Sequence, residues 1–123
     1  MITLKNLNEA SEQEVFDQVA THLLTQKKRA AEGEKCKYRT KDGLKCAAGC
    51  LLADDEYDPE IEGRDWLGAL PLIAYGGGRN HSTLISDLQH VHDETLPIDW
   101  FEELDDMANS YRLNKKVLDQ FRK

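Results

Sequence analysis

The chain contains little that would place it in a membrane or in an oxidising compartment. No apolar run approaches the roughly 20 residues that cross a bilayer, and the first residues lack the basic and apolar stretches of a signal peptide. Cysteine is scarce, and its count of three is odd, which argues against a closed disulfide framework. Cytosolic thiols stay reduced. The sequence therefore predicts a cytoplasmic protein with no membrane segment and with free thiols.

Aromatic residues are also few, at 7%, but the hydrophobic fraction is 40% and the charged fraction is 32%. These values are ordinary for a globular chain, and they argue against disorder of the whole chain. A chain of 123 residues is long enough to bury one hydrophobic core without disulfides to brace it. We therefore predict a single domain over residues 1–123.

Basic residues are nearly missing from much of the second half. The net charge is −7, and residues 46–111 hold fifteen acidic side chains against only Arg64 and Arg79. Apart from Lys5, the other basic side chains lie within residues 27–45 and from Arg112 onward. Such polarity can steer charged partners, although clusters of this kind can also neutralise one another on a solvated surface. The acidic excess argues against direct binding of nucleic acid.

Hydrophobic periodicity predicts a mainly helical fold. Ser11 and Glu14 form a capping-box pattern, and apolar side chains follow at helical spacing through residues 12–27. The same spacing predicts a helix that Ser82 caps and another over residues 98–111. With one small hairpin added, the predicted class is α+β and helix-dominated.

Three other segments complete the predicted organisation. A short helical piece surrounds Pro71, and the glycine run at residues 76–78 predicts a loop. Asn114 can cap a last short helix. We treat residues 114–123 as a candidate C-terminal appendage to the domain.

The hairpin is predicted around the Asp42-Gly43 turn, with strands at residues 36–39 and 44–46. The segment that follows, residues 46–53, is rich in small residues, has no period of two and predicts a buried helix. Gly49 inside that helix would be unfavourable by about 1 kcal/mol relative to alanine, which indicates close backbone packing.

The cysteines support three interpretations. Cys46 and Cys50 are four residues apart and share a helix face, while Cys36 lies on the facing strand, so all three can be buried packing residues. Alternatively they bind zinc with a histidine, for which His81, His90 and His92 are candidates; the metal set is then Cys36, Cys46, Cys50 and His92.

The third interpretation is a small cysteine- or metal-dependent enzyme that uses Cys46 or Cys50 with a histidine. Cys46 at a helix start beside Lys45 would have a stabilised thiolate, and a histidine such as His92 would make it a nucleophile. The alternative for His92 is a partly buried histidine that a neighbouring carboxylate satisfies. Packing is the leading interpretation, and no catalytic residue is assigned.

Two acidic segments are candidate binding surfaces, one in residues 54–65 and one near residues 99–106. Clustered carboxylates can mimic the phosphate array that a basic, nucleic-acid-binding surface recognises. We therefore expect a protein partner with a basic surface. The carboxylates predicted to contact it are Asp54, Asp55, Glu56, Asp58, Asp99, Glu102, Asp105 and Asp106.

Three stretches together carry a family resemblance. They are the first helix (residues 14–20), the cysteine segment with Cys36, Tyr38, Gly43, Cys46 and Cys50, and the residues from Asp87 to Asp93. Over most of residues 1–113 the chain resembles a family of small uncharacterised proteins from tailed phages and prophages. The resemblance implies a non-catalytic accessory protein that binds and modulates or inhibits a host or defence macromolecule in the host cytoplasm.

Overall fold

The computed structural model describes residues 1–73 and 80–122. The helices are α1 (Glu12–Gln26), α2 (Trp66–Ile73), α3 (Ser82–Glu94), α4 (Trp100–Ser110) and α5 (Lys116–Asp119). The strands are β1 (Ala31–Glu32) and β2 (Lys35–Cys36), and short 3-10 helices cover Leu4–Glu9, Gly49–Leu51, Pro59–Ile61 and Pro97–Asp99. This confirms the helix-dominated α+β class. The predicted loop at residues 76–78 lies outside the described residues.

α1 begins at the predicted capping box. The Ser11 hydroxyl accepts the Glu14 N–H at 3.1 Å, and the Glu14 carboxylate accepts the Ser11 N–H at 2.9 Å. The helix ends at Lys27, which has a left-handed φ of 60° and closes the last turn through Leu23 O. Its buried face carries Val15, Phe16, Val19, Ala20, Leu23 and Leu24.

The core forms where α1 packs against α3, α4 and α5, and where α2 packs against α3. Trp66 and Trp100 are its largest fully buried side chains. Burying a large apolar side chain of this kind contributes about 1.5–3 kcal/mol. No helix within residues 1–73 and 80–122 combines the length and apolarity needed to cross a membrane.

The C-terminal segment belongs to this core. Leu118 of α5 is fully buried, and the Asn114 N–H donates to the Gln13 side chain at 2.9 Å. Lys115 and Arg122 form ion pairs with Asp105 of α4 at 3.2 and 3.6 Å. Residues 114–122, most of the candidate appendage, therefore pack against α1 and α4.

The hairpin lies earlier in the chain than predicted. Ala31 pairs with Cys36 and Glu32 with Lys35, around a turn in which Gly33 has a φ of 65°. At the predicted turn, only an isolated bridge between residues 39 and 45 remains. The physical reason is Glu62, whose carboxylate accepts the N–H groups of Tyr38 and Arg39 at 2.8 and 3.2 Å and so removes them from strand pairing.

The small-residue segment forms only a 3-10 turn, Gly49–Leu51, where an α-helix was predicted. Its amides bond to other parts of the fold instead: the Ala48 N–H donates to Gln89 at 2.9 Å, and the Cys46 N–H donates to Tyr38 O at 3.3 Å. A Cβ at Gly49 would lie 2.2 Å from Tyr38 O. Close backbone packing at Gly49 is thus confirmed.

α3 begins without the predicted cap. Ser82 is its first residue, and His81 occupies the N-cap position with a left-handed φ of 62° and no side-chain capping bond. The His81 ring bonds instead to Ala10 O, with Nε2 at 2.7 Å, which ties the start of α3 to the segment before α1. The capping assignment of Ser82 was wrong because His81 turns the chain into the helix.

Candidate functional site: the cleft beside α3 and the acidic face of α4

A cleft of about 400 Å³ lies between β2, residues 63–67 and one face of α3. The residues of α3 that line the cleft are spaced three or four apart, so their side chains lie on one face of the helix. They are Ser86, Gln89, His90, Asp93 and Glu94. Cys36 and Trp66 line the opposite side. Its size is at the small end of ligand-binding cavities.

Cys36, His92 and Asp93 meet at the inner end of this region. One ligand-type atom from each lies within 4.8 Å of the others, and they are the only such group of three His, Cys, Asp or Glu side chains in the part of the chain that the structure describes. His92 is fully buried, whereas Cys36 and Asp93 are half-buried.

Hydrogen bonds determine the tautomer of His92. The Ala30 N–H donates to His92 Nε2 at 2.9 Å, so Nε2 carries the lone pair and the ring proton lies on Nδ1. Nδ1 then donates to Asp93 Oδ1 at 2.6 Å. The ring stacks on Trp100 with centroids 5.5 Å apart. The prediction of a buried histidine satisfied by a neighbouring carboxylate is confirmed.

The cleft holds Asp93 as a carboxylate and Cys36 as a thiol. Burial raises the pKa of Asp93, but hydrogen bonds from His92 and Gln89 outweigh burial, so this pKa lies below its usual value. Burial, and then the charge of Asp93, raise the pKa of the Cys36 thiol to about 11. Cys36 therefore remains protonated at neutral pH, with its thiol close to the Asp93 carboxylate.

The catalytic alternative placed a nucleophile at Cys46. Cys46 is fully buried, and its sulfur accepts the Gly49 N–H at 3.2 Å. Burial raises the pKa of Cys46, and it raises that of Cys50 to about 12. Neither nitrogen of His92 is available as a base, since Ala30 and Asp93 occupy them. In this arrangement, Cys46 and His92 form no nucleophile–base pair.

The zinc alternative combined Cys36, Cys46, Cys50 and His92. Of these, the structure brings Cys36 and His92 together with Asp93, and Cys46 and Cys50 are not members of that group. From the sequence, Asp93 was noted only as the last residue of the stretch from Asp87 to Asp93 and was not predicted to bind a metal. Its position opposite Cys36 depends on how β2 docks on α3, which no local pattern reports.

In the first acidic segment, residues 54–65, most of the predicted binding carboxylates already interact with other groups of the same chain. Asp54 pairs with Arg39 and Asp55 with Lys5, each at 2.7 Å, and Asp58 caps the 3-10 helix Pro59–Ile61. These three side chains retain exposed or half-exposed positions. As surface carboxylates they are therefore partly neutralised.

Glu56 was wrongly placed among the surface carboxylates. It is only 3% exposed, and its carboxylate accepts the N–H groups of Leu4, Lys5 and Ala53 at 3.1, 3.1 and 2.8 Å. A buried carboxylate can be stable when several backbone donors satisfy it. Glu56 therefore anchors the N-terminal 3-10 helix and is not available to a partner.

The second acidic segment contains a continuous stripe. Asp99, Glu102, Glu103 and Asp106 are spaced i, i+3, i+4 and i+7, so they share one face of α4 and the turn before it. No cation among the described residues forms an ion pair with any of the four. Asp105 differs, because Lys115 and Arg122 neutralise it. Glu103 was not among the carboxylates predicted to contact a partner, although its helical spacing places it on this face.

The basic cluster within residues 27–45 is partly internal. Arg29 donates from Nε to His92 O at 3.1 Å and from its guanidinium to Thr95 O, which covers the C-terminal carbonyls of α3. Arg39 pairs with Asp54 and donates to Leu52 O at 2.6 Å. These two arginines therefore stabilise loops.

No protein-family model, no curated protein and no solved structure matches this chain. Functional assignment therefore depends on the geometry and chemistry of its own residues.

Proposed function

We propose that this protein is a non-catalytic accessory protein that binds a basic surface of another macromolecule through the acidic stripe of α4. The observation that carries the proposal is a set of four carboxylates on one helix face, Asp99, Glu102, Glu103 and Asp106, for which residues 1–73 and 80–122 supply no ion-pair partner. The stripe spans about 10 Å along the helix, from the 1.5 Å rise per residue.

The stripe is unfavourable for the isolated helix. Like charges at i, i+4 destabilise a helix by about 0.2–0.5 kcal/mol per pair, and the stripe contains two such pairs, Asp99 with Glu103 and Glu102 with Asp106. The positive end of the helix dipole offsets part of the repulsion in the first turn, but Asp106 lies beyond that turn. A cationic partner removes the repulsion.

An apolar tip adjoins the stripe and supports a protein as the partner. Leu96 and Ile98, just before Asp99, are 59% and 87% exposed. Exposed apolar side chains beside charged ones are typical of the core and rim of a protein interface. Nucleic acid offers phosphates, which the stripe repels.

The proposed partner is a host or defence protein with a basic, nucleic-acid-binding surface, which the stripe would block by imitating phosphates. The resemblance to small phage proteins supports this class. The three free cysteines support a reducing compartment, and we place the protein in the cytoplasm.

The test is affinity capture from the host cytosol with three tagged proteins. They are the wild type, the stripe variant D99N/E102Q/E103Q/D106N and the control variant E9Q/E12Q/E34Q/E60Q, which removes four exposed carboxylates elsewhere. We expect a nucleic-acid-binding protein to be captured by the wild type and the control but not by the stripe variant. Equal capture by all three proteins contradicts the proposal.

A further inference from the structure

We propose that the cleft beside α3 binds one thiophilic divalent cation of the zinc class, with Cys36, Asp93 and His90 as its protein ligands. This inference is independent of the proposed function, because the acidic stripe of α4 contributes none of these residues.

The starting point is the proximity of Cys36 and Asp93. The Cys36 sulfur and an Asp93 carboxylate oxygen lie within 4.8 Å of each other, and both side chains line the cleft. A cation that binds here replaces the thiol proton, which leaves to solvent, and bridges the resulting thiolate and the carboxylate. Their ligand atoms already lie within 4.8 Å of each other, which small side-chain movements can adapt to a shared metal.

His92 is the third member of this cluster, but it is a poor ligand. A metal on Nδ1 would force the ring proton onto Nε2, where it would face the Ala30 N–H, which now donates to Nε2 at 2.9 Å. Two donors would then oppose each other in the core. Binding through His92 would thus break a buried hydrogen bond.

His90 is better placed to supply the third ligand. It lies three residues before Asp93, so both project from the same face of α3 into the same cleft. Its side chain is exposed and has no hydrogen-bond partner among the described residues, so it can rotate toward the thiol without breaking a hydrogen bond. Glu94, four residues after His90 and also in the cleft, can take the fourth position.

The donor types identify the class of cation. A thiolate, an imidazole nitrogen and carboxylate oxygens match zinc and its spectroscopic substitute cobalt, whereas magnesium and calcium prefer all-oxygen sites. The cleft opens to solvent, so a cation has an entry path.

The test is titration of chelator-treated protein with Co²⁺ alone, which gives a sulfur-to-cobalt charge-transfer band when a thiolate binds. We expect one Co²⁺ per wild-type chain with this band, and no band for C36S. H90Q and D93N should each lower Co²⁺ affinity by roughly tenfold or more, since even loss of an outer-shell partner has an effect of about that size. C50S and H22Q, the matched thiol and histidine controls, should leave affinity unchanged.

Thermal unfolding of each variant in chelator establishes that it is folded. Absence of the band in wild-type protein overturns the proposal, as does a band that C36S retains or C50S abolishes. Full affinity in H90Q overturns the assignment of His90.

Discussion

At the scale of single residues, His92 connects two parts of the fold that are far apart in sequence. Its Nε2 accepts from Ala30, its Nδ1 donates to Asp93, and its carbonyl oxygen accepts from Arg29. The fully buried imidazole ring of His92 therefore connects the end of α3 to the segment before β1.

Replacing His92 with leucine should lower the free energy of unfolding by about 2–4 kcal/mol, because it leaves the buried Ala30 N–H without its acceptor and removes one of the hydrogen bonds to Asp93. His90 is the matched control, since it lies on the same helix but is exposed. His90→Leu in metal-free protein should change stability by less than about 0.5 kcal/mol. Urea unfolding of both variants measures this. Similar losses for the two histidines would contradict the role given to His92.

Glu56 and Asp54 provide a second matched pair, two residues apart. Glu56→Ala removes the acceptor for three backbone amides and should cost about 2–4 kcal/mol of unfolding free energy. Asp54→Ala removes an exposed ion pair with Arg39 and should cost less than about 1 kcal/mol. Chemical denaturation checks both values, and a Glu56→Ala protein as stable as wild type would refute the anchoring role.

At the scale of elements, the helices were predictable and the connections were not. α1, α3 and α4 can each be recognised from the local sequence, because the apolar residues that each helix buries recur at helical spacing. The register of the hairpin depends on Glu62, which takes the amides of Tyr38 and Arg39 from outside the segment. A single-sequence pattern contains no signal for that contact.

Gly49 determines how the cysteine segment packs. Gly49→Ala should lower the free energy of unfolding by about 1–3 kcal/mol, because the added methyl would meet the Tyr38 carbonyl in a packed region. Gly68→Ala is the control: there the methyl meets the exposed Asp65 side chain, whose displacement weakens its 2.8 Å hydrogen bond from the Gly68 N–H, and a gain of up to about 1 kcal/mol in helix propensity offsets that loss. Unfolding curves compare the two. A neutral Gly49→Ala would show that the contact with Tyr38 is not rigid.

At the scale of the whole molecule, stability should depend on pH through His22. Burial lowers the pKa of His22 below 6.5, and the Lys45 carbonyl hydrogen bond only partly opposes this. Well above pH 6.5 both folded and unfolded chains hold the ring neutral, so His22 adds no slope. As pH falls below 6.5 the unfolded chain binds a proton that the folded chain refuses, so stability decreases, by up to about 1.4 kcal/mol per pH unit.

The matched variant is H22Q, which can still donate to the Lys45 carbonyl but does not titrate. The wild-type minus H22Q difference in unfolding free energy should be constant above pH 6.5 and should decline as pH falls below it. Denaturant titrations at several pH values give this difference. A difference that stays constant through the acidic range would contradict the lowered pKa.

The distribution of charge along the whole chain could be read from the sequence, but which carboxylates form internal hydrogen bonds could not. The excess of carboxylates within residues 46–111 follows from the composition of that segment. In the structure, however, Glu56 and Glu62 accept hydrogen bonds from backbone N–H groups within the fold. Only the folded chain separates these from the stripe of α4, which has no ion-pair partner in the part of the chain that the structure describes. The cleft likewise needs α3 and β2 docked together before Cys36 faces Asp93.

The central claim is that the stripe of α4 binds a basic partner. Its most direct measurement is the salt dependence of the dissociation constant between this protein and the captured partner, for the wild type, the stripe variant and the four-carboxylate control. We predict that the wild type and the control bind with the same steep loss of affinity as salt rises. The stripe variant should bind more weakly and with a flatter dependence. Equal affinities and equal slopes for all three proteins would contradict the account.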